Sequence, residues 1–328
     1  MKRILNIYLI SFVMVGFTFI SCGNDYDPIG NNKPAPVLKI GTDFLAFPAQ
    51  GGNLSVGITT NVEEIETHST ASWISDTYGE DILTLTALAN KEEEVRETLV
   101  DIATATGNNE AQSTLRIIQG NSGSNKIFAN MLRSEFDSDW GSLKTNGNWT
   151  LEDYAIRTNS PGDVQSIMTY RKEASQTIRS TSKQFNLSVD VKNRNNWAGV
   201  VFNAKDDKNY YYVGLNINPT SLFVIVFRVY NGIEAPHAMD PGIVLSEERD
   251  EYLRCEIVST TERPHEFTLN VYELKTTGNS SLNKDVSVIQ KLVYTRKFND
   301  NLIVDGGHAG IWGKAGGGYF KRFVLTTN

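Results

Sequence analysis

Trp197, Tyr210, Tyr212, Arg228 and Tyr230 fall within one stretch, Asn196 to Tyr230, and combine aromatic rings with a guanidinium. Planar rings offer apolar faces to sugar C–H groups, while their polar edges and a guanidinium suit hydroxyls. Strand alternation decides whether the five can act together. Ala198, Val200, Phe202 and Ala204 take one side of an extended run, and Trp197, Gly199, Val201 and Asn203 take the other. A second run passes through Tyr210, Tyr211, Tyr212, Val213, Gly214 and Leu215. In a third, Phe223, Ile225, Phe227 and Val229 share a face, with Arg228 and Tyr230 opposite. If the apolar sides point into a core, the five residues project together from an outer face, as a carbohydrate-binding surface. The competing arrangement covers the same rings with a loop such as Gly232 to Gly242.

Other chemistries leave little trace. His68, His237, His265 and His308 stand apart from one another, and there is no Gly-rich phosphate loop, HExxH or CxxC pair. No catalytic residue, metal ligand or cofactor is therefore assigned. A net charge of -7 without Lys/Arg clusters excludes nucleic acid as a partner, because phosphate neutralisation supplies most of that affinity. Cys255 alternates with Arg254 and Glu256, which makes it a small core residue.

The elements that must position these residues are strands. Lys205-Asp206-Asp207-Lys208 supplies a turn, with Asn209 suited to a left-handed conformation, and Asn231-Gly232 is a strong hairpin signal. Three antiparallel strands with one apolar face each need a second sheet to cover them. Ile127 to Asp139, Trp149 to Arg157, Val164 to Tyr170, Phe185 to Val191, Tyr252 to Ser259, Phe267 to Leu274, Val286 to Tyr294 and Tyr319 to Leu325 provide further extended runs. No segment shows sustained helical periodicity, so the mature chain is read as all-β.

Trp197 to Phe202, Asn209 to Val213 and Gly307-His308-Ala309-Gly310-Ile311-Trp312-Gly313 resemble the recurring strands of concanavalin A-like (laminin G-like) jelly rolls, over residues 126–328. That superfamily contains lectins, glycosidases and adhesion modules, so the fold does not choose among them. Its glycosidases carry three alternating acids on one strand. Here Glu248 and Asp250 alternate within Glu247-Glu248-Arg249-Asp250-Glu251, but Tyr252 stands where a third acid belongs, and the run reads as a solvated turn. A hydrolase stays open as the alternative to a non-catalytic binder, with a protein-binding adhesion module as a third. The calcium sites of such jelly rolls use an Asp after a Phe in the last strand. The pair here is Phe320-Lys321, which implies that this site is lost, leaving Asp137 and Asp139 as residual oxygen ligands in the opening strand.

The chain begins with Lys2 and Arg3, an apolar run from Ile4 to Ile20, and Ser21-Cys22. This resembles a bacterial lipoprotein signal over residues 1–21, with Phe19 in place of the usual aliphatic residue. It implies a lipid anchor at Cys22 as the membrane contact. Asn24, Asp25 and Asp27 resemble the acidic segment that sends Bacteroides-type lipoproteins to the outer face of the outer membrane. Residues 22–36, rich in Pro, Gly and Asn, form a linker. Residues 37–121 hold about seven short strands, as in an immunoglobulin-like β-sandwich. Gly51-Gly52, Thr60-Asn61, Ala71-Ser72-Trp73-Ile74, the segment from Ala89 to Arg96 and Gln119-Gly120 resemble a BACON domain. Glu63-Glu64-Ile65 replaces that family's usual aromatic, so this domain is expected to act as a spacer, with Trp73 in its core.

Overall fold

Short alternating runs broken by Asn, Asp, Gly and Pro favour strands over helices along the whole chain. The computed structural model describes residues 34–105, 111–121, 125–129, 133–144, 148–152, 155–159, 164–171, 185–193, 196–259, 266–279, 284–302, 307–316 and 318–327. The signal segment, Cys22, most of the linker and His265 lie outside the described residues. Among the described residues the protein is almost entirely β, with a single short helix, Arg133–Asp139.

Two four-stranded sheets enclose the first core. One orders Leu38–Ile40, Gly52–Thr60, Ile82–Ala87 and Ile74–Gly79; the other orders Phe44–Phe47, Gln112–Gln119, Arg96–Thr104 and Ile65–Ser69. Leu45, Phe47, Leu83, Leu85, Ile102, Leu115 and Ile117 fill the space between them. Trp73 packs against this cluster, with the Arg96 guanidinium 4.3 Å from its ring centre.

The larger sandwich pairs a seven-stranded sheet with an eight-stranded one. The seven-stranded sheet runs Trp140–Lys144, Gln165–Tyr170, His308–Lys314, Trp197–Asp206, Asn209–Ile217, Ser221–Tyr230 and Ile233–Val244. The eight-stranded sheet runs Asn148–Glu152, Ala155–Asn159, Gly318–Thr327, Phe185–Asn193, Leu253–Ser259, Glu266–Asn279 and Lys284–Asn299, and Asn125–Ala129 also pairs with Gly318–Thr327. Phe202, Tyr211, Val213, Phe267, Phe320 and Phe323 lie in the core between the sheets. Cys255 is fully buried there, and burial pushes its thiol well above the usual range.

Several local expectations change. Asp137 and Asp139 sit in the short helix instead of an opening strand. Trp149 to Arg157 divides into two strands, Asn148–Glu152 and Ala155–Asn159. The segment expected as a covering loop, Gly232 to Gly242, is the edge strand Ile233–Val244, in which Pro236 and Pro241 can remain because an edge strand leaves one row of donors unused. Asn231 and Gly232 take positive φ as the hairpin requires, whereas Asn209 does not; Asp206 closes its own turn by accepting from the Lys208 N–H at 2.8 Å.

Two ion networks tie elements together. Asp190, 1% exposed, accepts from Arg254 Nε at 2.7 Å and from Arg322 Nη1 at 2.8 Å. Arg322 lies at a bulge with φ of 51° and also donates from Nη2 to Asp43 of the first sandwich at 2.7 Å. The second network joins edge strands of the larger sandwich. Asp240 accepts from Tyr294 and Arg296, each at 2.5 Å.

Candidate functional site

The outer face of the seven-stranded sheet carries the expected rings, but most are closed off. Tyr210, Tyr212 and Trp312 are 0%, 3% and 0% exposed, and they form an apolar cluster with Ile167, Val201, Ala204, Ile225 and Val229. Tyr212 lies between Trp312, 4.5 Å away at 12°, and Phe227, 5.4 Å away at 4°. Gly214 leaves the room this stack needs, since a Cβ there would come within 2.9 Å of both Trp312 and Ile225. Tyr210 donates to Gln165 Oε1 at 3.0 Å and Tyr212 to Glu234 Oε1 at 3.4 Å, so the buried hydroxyls are satisfied at the cluster's margin. Burial raises both phenols far above their ordinary value and keeps them neutral. Trp197 is partly buried, edge-on to Phe223 at 5.1 Å.

The five residues do not share one face. Pairing places Tyr212 opposite Phe227 and Tyr211 opposite Arg228. Leu222, Val224 and Val226 therefore line the core between the sheets, while Phe223, Ile225, Phe227 and Val229 join the outer cluster. This reverses the expected facing of that strand and sends Arg228 to the side opposite Trp197, Tyr210 and Tyr212. The cause is that both sides of Ser221–Tyr230 are apolar, so alternation alone cannot say which side looks inward. Ala204 also changes side: Asn203 has φ of 48° at a bulge, which shifts the residues after it. Arg228 Nη1 meets Asp300 Oδ2 at 2.7 Å, and His237 Nε2 lies 2.7 Å from the same oxygen. Burial works to raise the Asp300 carboxyl, but the Leu302 N–H, Arg228 and His237 outweigh it and hold it below the usual range. Tyr230 is 38% exposed beside the hairpin tip.

A concave feature lies at an end of the larger sandwich. A cleft of about 440 Å³ is lined by Lys192, Asn193, Ile217, Asn218, Pro219, Glu247, Arg249, Asp250 and Glu251. Three chain segments make it. Lys192 and Asn193 end the strand Phe185–Asn193; Asn193 holds the neighbouring strand by accepting from the Ile217 N–H at 3.0 Å and donating to the Leu215 carbonyl. Asn218 and Pro219 form the tight turn that follows, closed by Asn218 N–H to the Ser221 carbonyl at 2.8 Å. The third segment is fixed from beneath by Glu273, fully buried, which accepts from the Ser246 N–H at 2.6 Å and the Ser246 hydroxyl at 2.7 Å. Arg249 then joins the second and third segments, donating to the Asp250 carbonyl at 2.6 Å and the Asn218 carbonyl at 3.0 Å. Its Nε is buried without a hydrogen-bond partner among the described residues. Burial lowers the Arg249 guanidinium, against the opposing pull of Glu273, Glu251 and Asp250. Lys192 pairs with Glu251 at the rim.

Lys192, Asn193, Asn218 and Arg249 were not singled out from the sequence. Only the Glu247 to Glu251 run pointed here, and it does not say which other segments it meets. All three carboxylates of the cleft, Glu247, Asp250 and Glu251, come from one segment; the other lining residues carry none. Among the described residues no three His, Cys, Asp or Glu side chains gather to hold a metal ion. Asp139 accepts from Ser138 at 2.7 Å and from the Tyr170 hydroxyl at 3.4 Å.

No family model and no curated protein matches the chain. Solved structures similar to it include a carbohydrate binding module, CBM66, from Bacillus subtilis, at 13% identity over 58% of this chain and 96% of that one, with a TM-score of 0.40. The binding domain of botulinum neurotoxin DC in a complex with SialylT has 13% identity over 62% of this chain and 48% of that one, with a TM-score of 0.30. The CupB2 chaperone of Pseudomonas aeruginosa has 11% identity over 72% and 98%, with a TM-score of 0.23. Likenesses of this strength do not identify a ligand, and the ligand chemistry has to come from the side chains.

Proposed function

We propose that this protein binds carbohydrate without cleaving it, in the cleft between Lys192-Asn193, Asn218-Pro219 and Glu247 to Glu251, and is held at the cell surface by a lipid on Cys22. The observation that carries the binding reading is the composition of the cleft. Carboxylate acceptors on Glu247, Asp250 and Glu251 and cationic donors on Lys192 and Arg249 line it together with the apolar Ile217 and Pro219. A polyol needs this mixture, because each hydroxyl both donates and accepts. Glycoside hydrolysis needs carboxyl groups flanking the bond on two sides. The one-sided supply of carboxylates here favours holding a glycan over cutting it.

An open cleft of mixed polar and apolar lining gives little net binding energy, so one site should hold an oligosaccharide with a dissociation constant of ~0.1 to 1 mM. Several anchored copies on one polymer should strengthen this ~100-fold. The first sandwich serves as a spacer in this reading, and the linker would set it about 20 Å from the membrane. A glycan array probed with the soluble chain from Gly23 onward, followed by product analysis, tests the proposal. Hits that fade in Asp250→Asn and Lys192→Gln, with no shortened product, support it. Hits that survive both changes but vanish in Trp197→Ala would move the site to the outer aromatic face. Shortened product would replace binding with hydrolysis.

A further inference from the structure

Tyr210, Tyr212 and Trp312 are closed off, but one row of the same outer face stays open, at the end of the sandwich where the cleft lies. Lys314, Trp197, Asn216 and Phe223 are each partly exposed. Lys314 pairs with Trp197 and Asn216 with Phe223, while the Ala198–Leu215 pair sets Asn216 beside Trp197, so the four form one row across four strands. Trp197 and Phe223 stand on strands separated by a third, yet their ring centres lie 5.1 Å apart at 67°. The rings therefore lean together and make a corner. Asn216, on the strand between them, makes no side-chain hydrogen bond among the described residues. Val244, 76% exposed, extends the apolar surface from the edge strand, since it pairs with Ser221 on the side that Phe223 takes.

The same chain segments build the cleft and this row. Asn193, in the cleft, ends one strand, and Trp197 begins the next. Ile217, Asn218 and Pro219, also in the cleft, directly follow Asn216 in the chain. Phe223 stands two residues, about 7 Å, beyond Ser221, whose carbonyl closes that turn. A ligand chain that leaves the cleft over Asn218-Pro219 thus meets the ring corner next. Two rings beside an amide suit a sugar, whose C–H faces are apolar and whose edges carry hydroxyls. The charge of the ligand follows from the cleft. Glu247, Asp250 and Glu251 stand there against Lys192 and Arg249, of which Lys192 pairs with Glu251 and Arg249 is held by the Asn218 and Asp250 carbonyls. Neither cation is spare for an acidic sugar, and a net charge of -7 opposes one at long range.

Building on the carbohydrate reading above, we infer that the Trp197–Phe223 corner is a second subsite, continuous with the cleft around the Asn218-Pro219 turn, and that the ligand is a neutral polysaccharide held along its chain. Affinity then depends on ligand length: a short oligosaccharide occupies the cleft alone, and a longer one also reaches the rings.

Calorimetry on the soluble chain from Gly23 onward tests this, with gluco-, xylo- and manno-oligosaccharides of three and six residues and a galacturonate hexamer as probes. In at least one neutral series the hexamer should bind 5-fold or more tightly than its trimer, and galacturonate more weakly than that hexamer. Trp197→Ala and Phe223→Ala should each bring the hexamer within 2-fold of the trimer while leaving the trimer's affinity unchanged. Both rings also pack against the outer cluster, whereas Asn216 and Val244 do not belong to it. Asn216→Ala and Val244→Asp should therefore reduce the hexamer's advantage at least 2-fold with an unchanged melting temperature, which keeps the test decisive if a ring variant fails to fold. Equal binding of trimer and hexamer, a length advantage that survives in every folded variant, or tighter binding of galacturonate would overturn the inference. Where a trimer is still held through Asp250 and Lys192 in those cases, the proposed function stands without it. Failure of every probe would remove both.

Discussion

Replacing Tyr212 with alanine is the sharpest test of whether the aromatic face is core or platform. The ring is 3% exposed and sandwiched between Trp312 at 4.5 Å and Phe227 at 5.4 Å. Truncating a buried aromatic to alanine costs ~3 to 5 kcal/mol, because the lost transfer energy is joined by a cavity that neighbours fill only in part. Each stacked pair adds ~0.5 to 1.5 kcal/mol, which points to the upper half of that range. For a sandwich of about 200 residues, ~4 kcal/mol lowers the melting temperature by ~8 to 16 °C. Tyr212→Phe is the control. It removes only a hydroxyl whose bond to Glu234 is 3.4 Å long, and should cost under ~1 kcal/mol. Urea denaturation followed by tryptophan fluorescence gives both numbers, since Trp312 of the stack is one of five tryptophans that contribute to the signal. A Tyr212→Ala protein within ~1 kcal/mol of wild type would show that the ring stands open, and would return the binding site to that face.

Other outcomes follow from the ion networks and the anchor. Arg322→Ala leaves Asp190 buried with Arg254 alone and should destabilise by ~3 to 5 kcal/mol in denaturant, whereas Asp43→Ala removes a half-exposed partner and should cost under ~1 kcal/mol; equal effects would contradict the assignment. Because the folded carboxyl of Asp300 is held below its ordinary value, its contribution is fully present above the unfolded carboxylate range and is lost as pH falls through the lower folded value. Asp300→Asn should therefore flatten the acid limb of a pH–stability curve, and an unchanged slope would refute this. Cys22→Ala should abolish fatty-acid labelling in cells, and labelling that persists would remove the lipoprotein reading.

The strands were legible because their turns were. Lys205 to Lys208 and Asn231-Gly232 announce turns with a stated backbone chemistry, and the strands on either side appear where those turns place them. Facing was harder to read. Leu222 to Val229 is apolar on both sides, so which side met the second sheet depended on pairing with Asn209–Ile217 and not on the strand's own pattern. Asn203 shows the same difficulty at one residue, since its left-handed conformation inside a strand moved Ala204 to the other side. The cleft was the least legible part. Its segments are distant in sequence, and the contact joining two of them, Arg249 to the Asn218 carbonyl, uses a side chain that reads as one charge in a solvated run.

The last described strand, Gly318–Thr327, is not at an edge: it lies between Phe185–Asn193 on one side and Ala155–Asn159 and Asn125–Ala129 on the other, and contributes Phe320, Phe323 and Leu325 to the core. During synthesis from the N-terminus, nearly two hundred residues of the larger sandwich are made before their central strand exists. Until it arrives, Phe185–Asn193 has one open flank and the core lacks three of its large side chains. The first sandwich carries no such debt, because all of its strands are in place by Gln119. The two halves therefore differ in when they can close: the first can complete while the chain is still emerging, and the second stays open, with apolar surface exposed, until the strand Gly318–Thr327 is delivered.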